Sequence, residues 1–175
     1  MKENSSSRYA KALFEMSLSE DKLDVVFSNI ELIFSTLELK KELFNIVHNP
    51  TISKGVKSKM FNKAFGAHVD TLTMRFLMLI IQRSRESLLL QMAKSYIDLY
   101  YQHKGIVVAS VTSAKRLNDS DRLAIKDKIN PNGKVKLTEI VDSSILGGLI
   151  INARGKQYNT SIKKQINNIK KVFEL

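Results

Sequence analysis

The sequence predicts a mainly α-helical protein with a small α/β part, in which an N-terminal six-helix bundle is followed by a small C-terminal β-α-β-β-α domain. Two observations support this fold class. Apolar residues recur every three or four positions up to Lys104, and β-branched residues with strand-like alternation begin just after Gly105. The change of period predicts a domain boundary there, with a helical domain over 1–104 and an α/β domain over 105–175.

The first two helices follow from apolar spacing. A serine at position 5, 6 or 7 can cap a first helix, in which Tyr9, Leu13 and Met16 share one face. The second helix has the clearest pattern in the chain, because apolar residues keep strict helical spacing while polar residues occupy the other side. Its apolar positions are Leu23, Val26, Phe27, Ile30, Ile33, Phe34 and Leu37.

The third and fourth helices lie on either side of a proline. A short helix over 42–47 should end before Asn49-Pro50, because the residue ahead of proline disfavours the helical backbone. Ser53 is then expected to open a basic helix. Its lysines at 54, 57, 59 and 63 are predicted to surround a thin apolar set of Val56, Met60, Ala64 and Phe65.

The fifth and sixth helices complete the first domain. From Val69 to Gln82 the apolar residues nearly encircle the helix axis, which predicts that this helix is either central in the bundle or contacted on two sides. The sixth helix is predicted over 86–103, and Gly105 is expected to adopt the left-handed backbone that ends it.

The sequence of the second domain predicts strands together with helices. A β-branched strand over 106–111 is followed by a helix over 119–129, and the Asn-Pro-Asn-Gly turn at 130–133 leads into further strands near 135–138 and 149–151. A final helix is predicted to start near Asn159-Thr160-Ser161, with an apolar stripe of Ile162, Ile166, Ile169 and Phe173.

The net charge favours an acidic partner. The whole chain carries +11; residues 105–175 hold 13 Lys and Arg against 6 Asp and Glu, a net +7, and residues 1–104 hold 15 against 11, a net +4. A basic nucleic-acid-binding module is therefore the alternative function. Against it, Tyr158 and Phe173 are the only aromatic residues of the smaller domain, too few for a base-stacking surface.

No catalytic residue, cofactor site or metal site is expected. His48, His68 and His103 are far apart in sequence and lack the spacing of metal ligands. Gly147-Gly148 lacks the spacing of a phosphate-binding loop, and a bulge or close backbone packing explains it better. The sequence contains no cysteine, which excludes disulfides and thiolate zinc sites. We therefore expect a protein that is not an enzyme.

Short segments in order along nearly the whole chain carry a family resemblance. They are Arg8-Tyr9-Ala10-Lys11-Ala12-Leu13-Phe14, Asn49-Pro50 before a lysine-rich helix, Phe76-Leu77, Val111-Thr112-Ser113-Ala114, Val135-Lys136-Leu137, Asp142 with Gly147-Gly148, and Ser161-Ile162. In order and spacing they resemble the delta subunit of F-type ATP synthase, the counterpart of the mitochondrial oligomycin-sensitivity-conferring protein. Two positions depart from that family's pattern: Asn159 stands where Asp is frequent, and Arg75 where Asn is frequent.

The resemblance implies a non-catalytic stator subunit. In that family the helical domain binds the N-terminal helices of alpha subunits on the catalytic head, and the C-terminal domain binds the b-subunit stalk. Holding the head against the rotor couples proton-driven rotation to ATP synthesis. The implied location is peripheral, at the cytoplasmic face of the bacterial inner membrane, as part of the complex. No apolar stretch approaches the roughly 20 residues that span a bilayer.

The candidate contacts with the alpha subunit follow from the family resemblance and from the apolar faces of the first and fifth helices. A groove between the first and fifth helices is expected to take the alpha-subunit helix through Tyr9, Ala12, Leu13, Phe76 and Leu79. Burial in the protein's own core is the alternative for each of them, since core is the default for an apolar helical stripe.

The final helix supplies the candidate contacts for the stalk. Lys163, Lys164 and Lys170 are the residues expected to meet the b subunit. A solvated face, with no partner, is the alternative interpretation of these three lysines.

Overall fold

A computed structural model describes residues 5–131, 133–145 and 147–159 of the chain. Over these residues the protein is mainly helical with a small mixed sheet, and it divides into two compact units between Tyr100 and Tyr101. The division lies within the helix that precedes the predicted boundary. The predicted final helix lies outside the described residues, and so do its candidate contacts, Lys163, Lys164 and Lys170.

Six α-helices precede residue 104 in the described chain. They are α1 (Ser5–Ser19), α2 (Leu23–Leu39), α3 (Lys41–His48), α4 (Lys54–Phe65), α5 (Thr71–Gln82) and α6 (Leu89–His103). Ser53 caps α4 as predicted, and the side chain of Asp70 caps α5 by accepting from the Leu72 amide at 2.9 Å.

The predicted start of the sixth helix at residue 86 was wrong. A 3-10 turn spans Glu86–Leu88, and the Leu88 amide donates to the carbonyl of Arg85, three residues back. The regular helix α6 begins only at Leu89. At its other end, Gly105 has a φ of +65°, the left-handed backbone that the sequence predicted.

One apolar core joins the helices of the first unit. α2 directs the expected positions inward, with Phe27 and Phe34 half-buried at the edge of the core. α1 contributes Ala10 and Leu13, and α6 contributes Tyr96, which is fully buried. Helical spacing therefore predicted the inward face of α2, whereas Met16, predicted on the apolar face of α1, is 49% exposed.

The inward face of α4 differs from the prediction. Lys57, Phe61 and Phe65 are buried, whereas Val56 is 49% exposed. The buried positions are four residues apart, so Lys57 shares the face of the two phenylalanines. Burial of this lysine requires a counter-charge, which Glu86 supplies.

The second unit contains a four-stranded mixed sheet with the strand order β2-β1-β3-β4. The strands are β1 (Val107–Ser113), β2 (Val135–Val141), β3 (Leu149–Ala153) and β4 (Lys156–Asn159). β1 and β2 run parallel and are joined through α7 (Asp119–Ile129), whereas β3 pairs antiparallel with both β1 and β4. This is a β-α-β crossover extended by a hairpin.

β4 was not predicted from the sequence. It pairs with β3 through the two-residue connection Arg154-Gly155, in which both residues have positive φ, +51° and +71°. Two left-handed residues give a type I′ hairpin, whose usual sequence is Asn-Gly or Asp-Gly. Arg154 at the first turn position is unusual, so the sequence did not indicate this turn.

Candidate partner-binding surface

The helix α5 has one face in the core and one face outside it. Its inner face is formed by Leu72, Thr73, Phe76, Leu77, Ile80 and Ile81. Its outer residues line a shallow surface crevice of about 780 Å³, and we call this set the α5 stripe: Thr71, Met74, Arg75, Met78, Leu79 and Gln82. At 1.5 Å per residue the stripe is about 17 Å long. That length matches about three turns of a docked helix.

The α5 stripe is mainly apolar and accessible. Leu79 is 42% exposed, and Met74 and Met78 are half-buried, packing against the core on one side. Methionine side chains adapt easily to the shape of a partner. A partner helix laid along this stripe would cover three apolar side chains that the fold itself leaves partly uncovered.

The structure separates the five candidate alpha-subunit contacts into accessible and buried residues. Ala12 and Leu79 are exposed and Tyr9 is half-buried, whereas Leu13 is 2% exposed and Phe76 is 9% exposed. Leu13 and Phe76 therefore offer little area to a partner. The described lining residues of the crevice all belong to α5, rather than to α1 and α5 together.

Polar contacts fix the position of α5. Lys22, in the turn after α1, donates to the carboxylate of Asp70 at 3.3 Å, and Asn29 of α2 donates to Thr73 at 3.3 Å. The Leu72 amide and then Lys22 lower the pKa of Asp70, because both stabilise its charged form. The start of α5 is thus tied to α2 and to the turn before it.

A second set of contacts joins α1 to α6. The hydroxyl groups of Ser17 and Tyr96 are 3.0 Å apart, and the ring of Phe14 meets that of Tyr96 edge to face at 5.9 Å. Burial raises the pKa of Tyr96, since the ionised phenol would lose its hydration. This neutral hydrogen bond holds α1 against the core.

A buried ion pair, which sequence reasoning missed, supports the α4 side of the unit. Lys57 Nζ lies 2.5 Å from Glu86 Oε1 and donates to the carbonyl of Val47 at 3.1 Å. Their side chains are 3% and 10% exposed. The pair joins α3, α4 and the 3-10 turn. The sequence signal was the position of Lys57 four residues before Phe61, on the buried face.

The unit has a second apolar groove, which the sequence did not predict. It has a volume of about 820 Å³ between α2, α3 and α4, and its apolar lining includes Leu32, Leu39, Leu43, Ile46, Met60 and Phe65. Leu39 is 82% exposed there. This groove is a competing location for a docked helix.

In the second unit, polar contacts join α7 and the loop before it to the sheet. Arg122 of α7 donates to Glu139 of β2 at 2.8 Å, and the Leu117 amide donates to the same carboxylate at 2.6 Å. That amide and then Arg122 lower the pKa of Glu139. These bonds attach α7 and its preceding loop to the sheet.

The described residues contain no group of three or more His, Asp or Glu side chains that could hold a metal ion. Across the same part of the chain, no helix has the length and apolar character needed to cross a membrane.

Comparison with known proteins gives a family match over almost the whole chain. The model of the ATP synthase delta (OSCP) subunit family matches residues 6–173. An ATP synthase subunit delta from Brevibacillus brevis is 32% identical over 161 residues, covering 91% of this chain and 92% of the relative. One from Amoebophilus asiaticus is 30% identical over 172 residues, covering 97% and 94%.

Solved structures support the fold. A chain in the cryo-EM structure of the Toxoplasma gondii mitochondrial ATP synthase hexamer superposes with a TM-score of 0.79 at 16% identity, covering 99% of both chains. At this identity the likeness concerns the fold alone.

Proposed function

The chain belongs to the ATP synthase delta (OSCP) subunit family and is a peripheral-stalk subunit of F-type ATP synthase, and we propose that it joins the alpha subunits of the catalytic head to the b-subunit stalk without catalysing a reaction. Its relatives lend no support to the nucleic-acid-binding alternative. Through its partners the subunit would lie peripherally at the cytoplasmic face of the bacterial inner membrane.

The observation that carries the proposal is the accessible α5 stripe. An amphipathic helix can place its apolar face on Met74, Met78 and Leu79, as helix-in-groove recognition requires. Tyr9 and Ala12 on α1 are the further contacts that we assign to the alpha-subunit helix, whereas Leu13 and Phe76 are buried in the fold. The helical domain, 1–104, would therefore bind the head.

The second domain, 105–175, would bind the stalk. Its net charge of +7 favours an acidic partner, because opposite charges steer association and exclude wrong partners. We assign the contact with the b subunit to Lys163, Lys164 and Lys170.

Titration calorimetry of the full chain tests the contact with the head. The probe is a synthetic peptide of the N-terminal helix of the alpha subunit from the same organism. We expect 1:1 binding with weak salt dependence, because the contact is mainly apolar, and new amide-exchange protection on α1 and α5. A scrambled peptide is the control. No heat and no change in amide exchange with the native peptide would count against the proposal.

The stalk contact needs a separate titration with the C-terminal segment of the b subunit. Replacing Lys163, Lys164 and Lys170 together by glutamine should weaken this binding and reduce its salt dependence. The matched control replaces three exposed lysines of the same unit, at positions 115, 128 and 156, by glutamine. An equal loss in both triple variants would mean that net charge alone, and not this set of lysines, governs the contact.

A further inference from the structure

Arg75 lies in the middle of the α5 stripe. It follows Thr71 by one helical turn and precedes Leu79 by one turn, and all three line the crevice. Arg75 is the only charged residue in the sequence of α5. Its side chain is exposed and forms no hydrogen bond or ion pair with the described residues. The stripe is thus an apolar surface with one uncompensated cation at its centre.

A partner helix that covers the apolar side chains of the stripe must also cover part of Arg75. The guanidinium group carries five N–H donors, and removing them from water without an acceptor is unfavourable. A carboxylate restores both the charge balance and the hydrogen bonds, and it fits the planar fork of arginine in a bidentate arrangement. A neutral or basic residue at the same position of the partner would leave the cation unpaired.

The charges on α1 favour the same partner chemistry. Arg8 and Lys11 are exposed beside Tyr9 and Ala12, and Glu15 is the exposed acidic residue of that helix. The accessible faces of both proposed contact helices therefore have more positive than negative charge. An acidic position on the docked helix is attracted to this surface, and a basic one is repelled.

We propose that Arg75 determines partner specificity by pairing with one carboxylate on the helix that docks on the α5 stripe. This inference rests on the proposed function of the stripe in binding the alpha subunit. The apolar residues would provide most of the affinity, and Arg75 would fix the register of the partner helix and reject helices without an acidic residue at the matching position.

A double-mutant cycle in titration calorimetry tests the pairing. The proteins are the full wild-type chain, Arg75→Gln and the control Arg83→Gln, whose arginine is also exposed but lies just after α5 and outside the stripe. The peptides are the native alpha-subunit N-terminal helix and versions in which each Asp or Glu is changed singly to its amide. Arg75→Gln should weaken binding of the native peptide about five- to tenfold.

The cycle identifies the paired carboxylate. One amide peptide should bind the wild-type chain about as weakly as the native peptide binds Arg75→Gln. The same amide peptide should bind Arg75→Gln no more weakly than the native peptide does, because that variant already lacks the pairing with the carboxylate. Arg83→Gln should bind every peptide within about twofold of wild type. The pairing would be overturned if wild type and Arg75→Gln bound the native peptide with equal affinity. It would also be overturned if, for every amide peptide, the loss of affinity from the peptide change and the loss from Arg75→Gln were independent and multiplied. Either result would leave the docking surface intact. If the wild-type chain binds no peptide at all, the proposed function fails and the pairing fails with it.

Discussion

Leu79 allows the docking surface to be tested with one substitution outside the buried core. Its side chain is 42% exposed on the α5 stripe, outside the apolar core. Full burial of a leucine side chain contributes about 1.5–3 kcal/mol, and 42% of that is about 0.6–1.3 kcal/mol. Leu79→Ala should therefore lower the affinity for the alpha-subunit helix about three- to ninefold.

The assay is titration calorimetry of the full chain with the alpha-subunit peptide, together with urea unfolding of each variant. Leu39→Ala is the matched control, because Leu39 is 82% exposed on the same unit but lies outside the stripe. Leu39→Ala should unfold within about 0.5 kcal/mol of wild type. Leu79→Ala should lose about 1–2 kcal/mol of stability, because the fold already covers more than half of this side chain. Leu13→Ala gives the contrast: Leu13 is 2% exposed, so the variant should lose about 2–5 kcal/mol of stability.

The comparison between the two leucines can refute the assignment. Unchanged affinity in Leu79→Ala, with a clear loss in Leu39→Ala, would move the docking surface to the groove between α2, α3 and α4. Similar losses in both variants would mean that the peptide binds apolar surface without specificity.

Three further predictions concern the contacts that hold the helical unit. Glu86→Ala leaves the ammonium of Lys57 buried without its counter-charge and should cost about 3–5 kcal/mol in urea unfolding, and the double variant with Lys57→Met should recover most of this loss. The pKa of Asp70 is lower in the folded protein than in the unfolded chain. The Asp70 carboxylate therefore stabilises the fold at any pH above the pKa of the unfolded chain, and this contribution is lost as the pH falls through the pKa of the folded protein. Asp70→Asn keeps the helix cap but should flatten the loss of stability in acid, measured as urea midpoints between neutral pH and about pH 2. Tyr96→Phe keeps the ring packing, removes the hydroxyl bonded to Ser17, and should cost about 0.5–1.5 kcal/mol in thermal unfolding.

Regular patterns explain why much of the fold could be predicted. In α2 the apolar period matches the helix period, so Val26, Ile30 and Ile33 could be placed in the core from spacing alone. Gly105 could be predicted because few other residues adopt its left-handed backbone at little cost. In both cases the local chemistry and the tertiary structure favour the same conformation.

Two features of the fold depart from the usual preferences of their residues. Lysine is ordinarily exposed in folded proteins. Lys57 is buried, and its ammonium group forms an ion pair with Glu86, which is distant in the sequence. β4 was missed because Arg154 occupies a left-handed position that usually carries asparagine or glycine.

The candidate surface was predicted only in part for a similar reason. Helical periodicity selects an apolar face but does not show which residues of a nearly all-apolar helix face the core. Phe76 and Leu79 are one turn or less apart, yet the first is buried and the second is 42% exposed. Only the packing of neighbouring helices distinguishes them.

Reconstitution of coupled ATP synthesis is the most direct test of the central claim that this chain connects head and stalk. Membranes stripped of the catalytic head and of this subunit are recombined with purified head, with or without the full chain, and proton-driven ATP synthesis is measured beside ATP hydrolysis by the free head. ATP synthesis should return only when the chain is added, while hydrolysis by the free head should be unchanged. Equal synthesis with and without the chain would contradict the proposed connection between head and stalk.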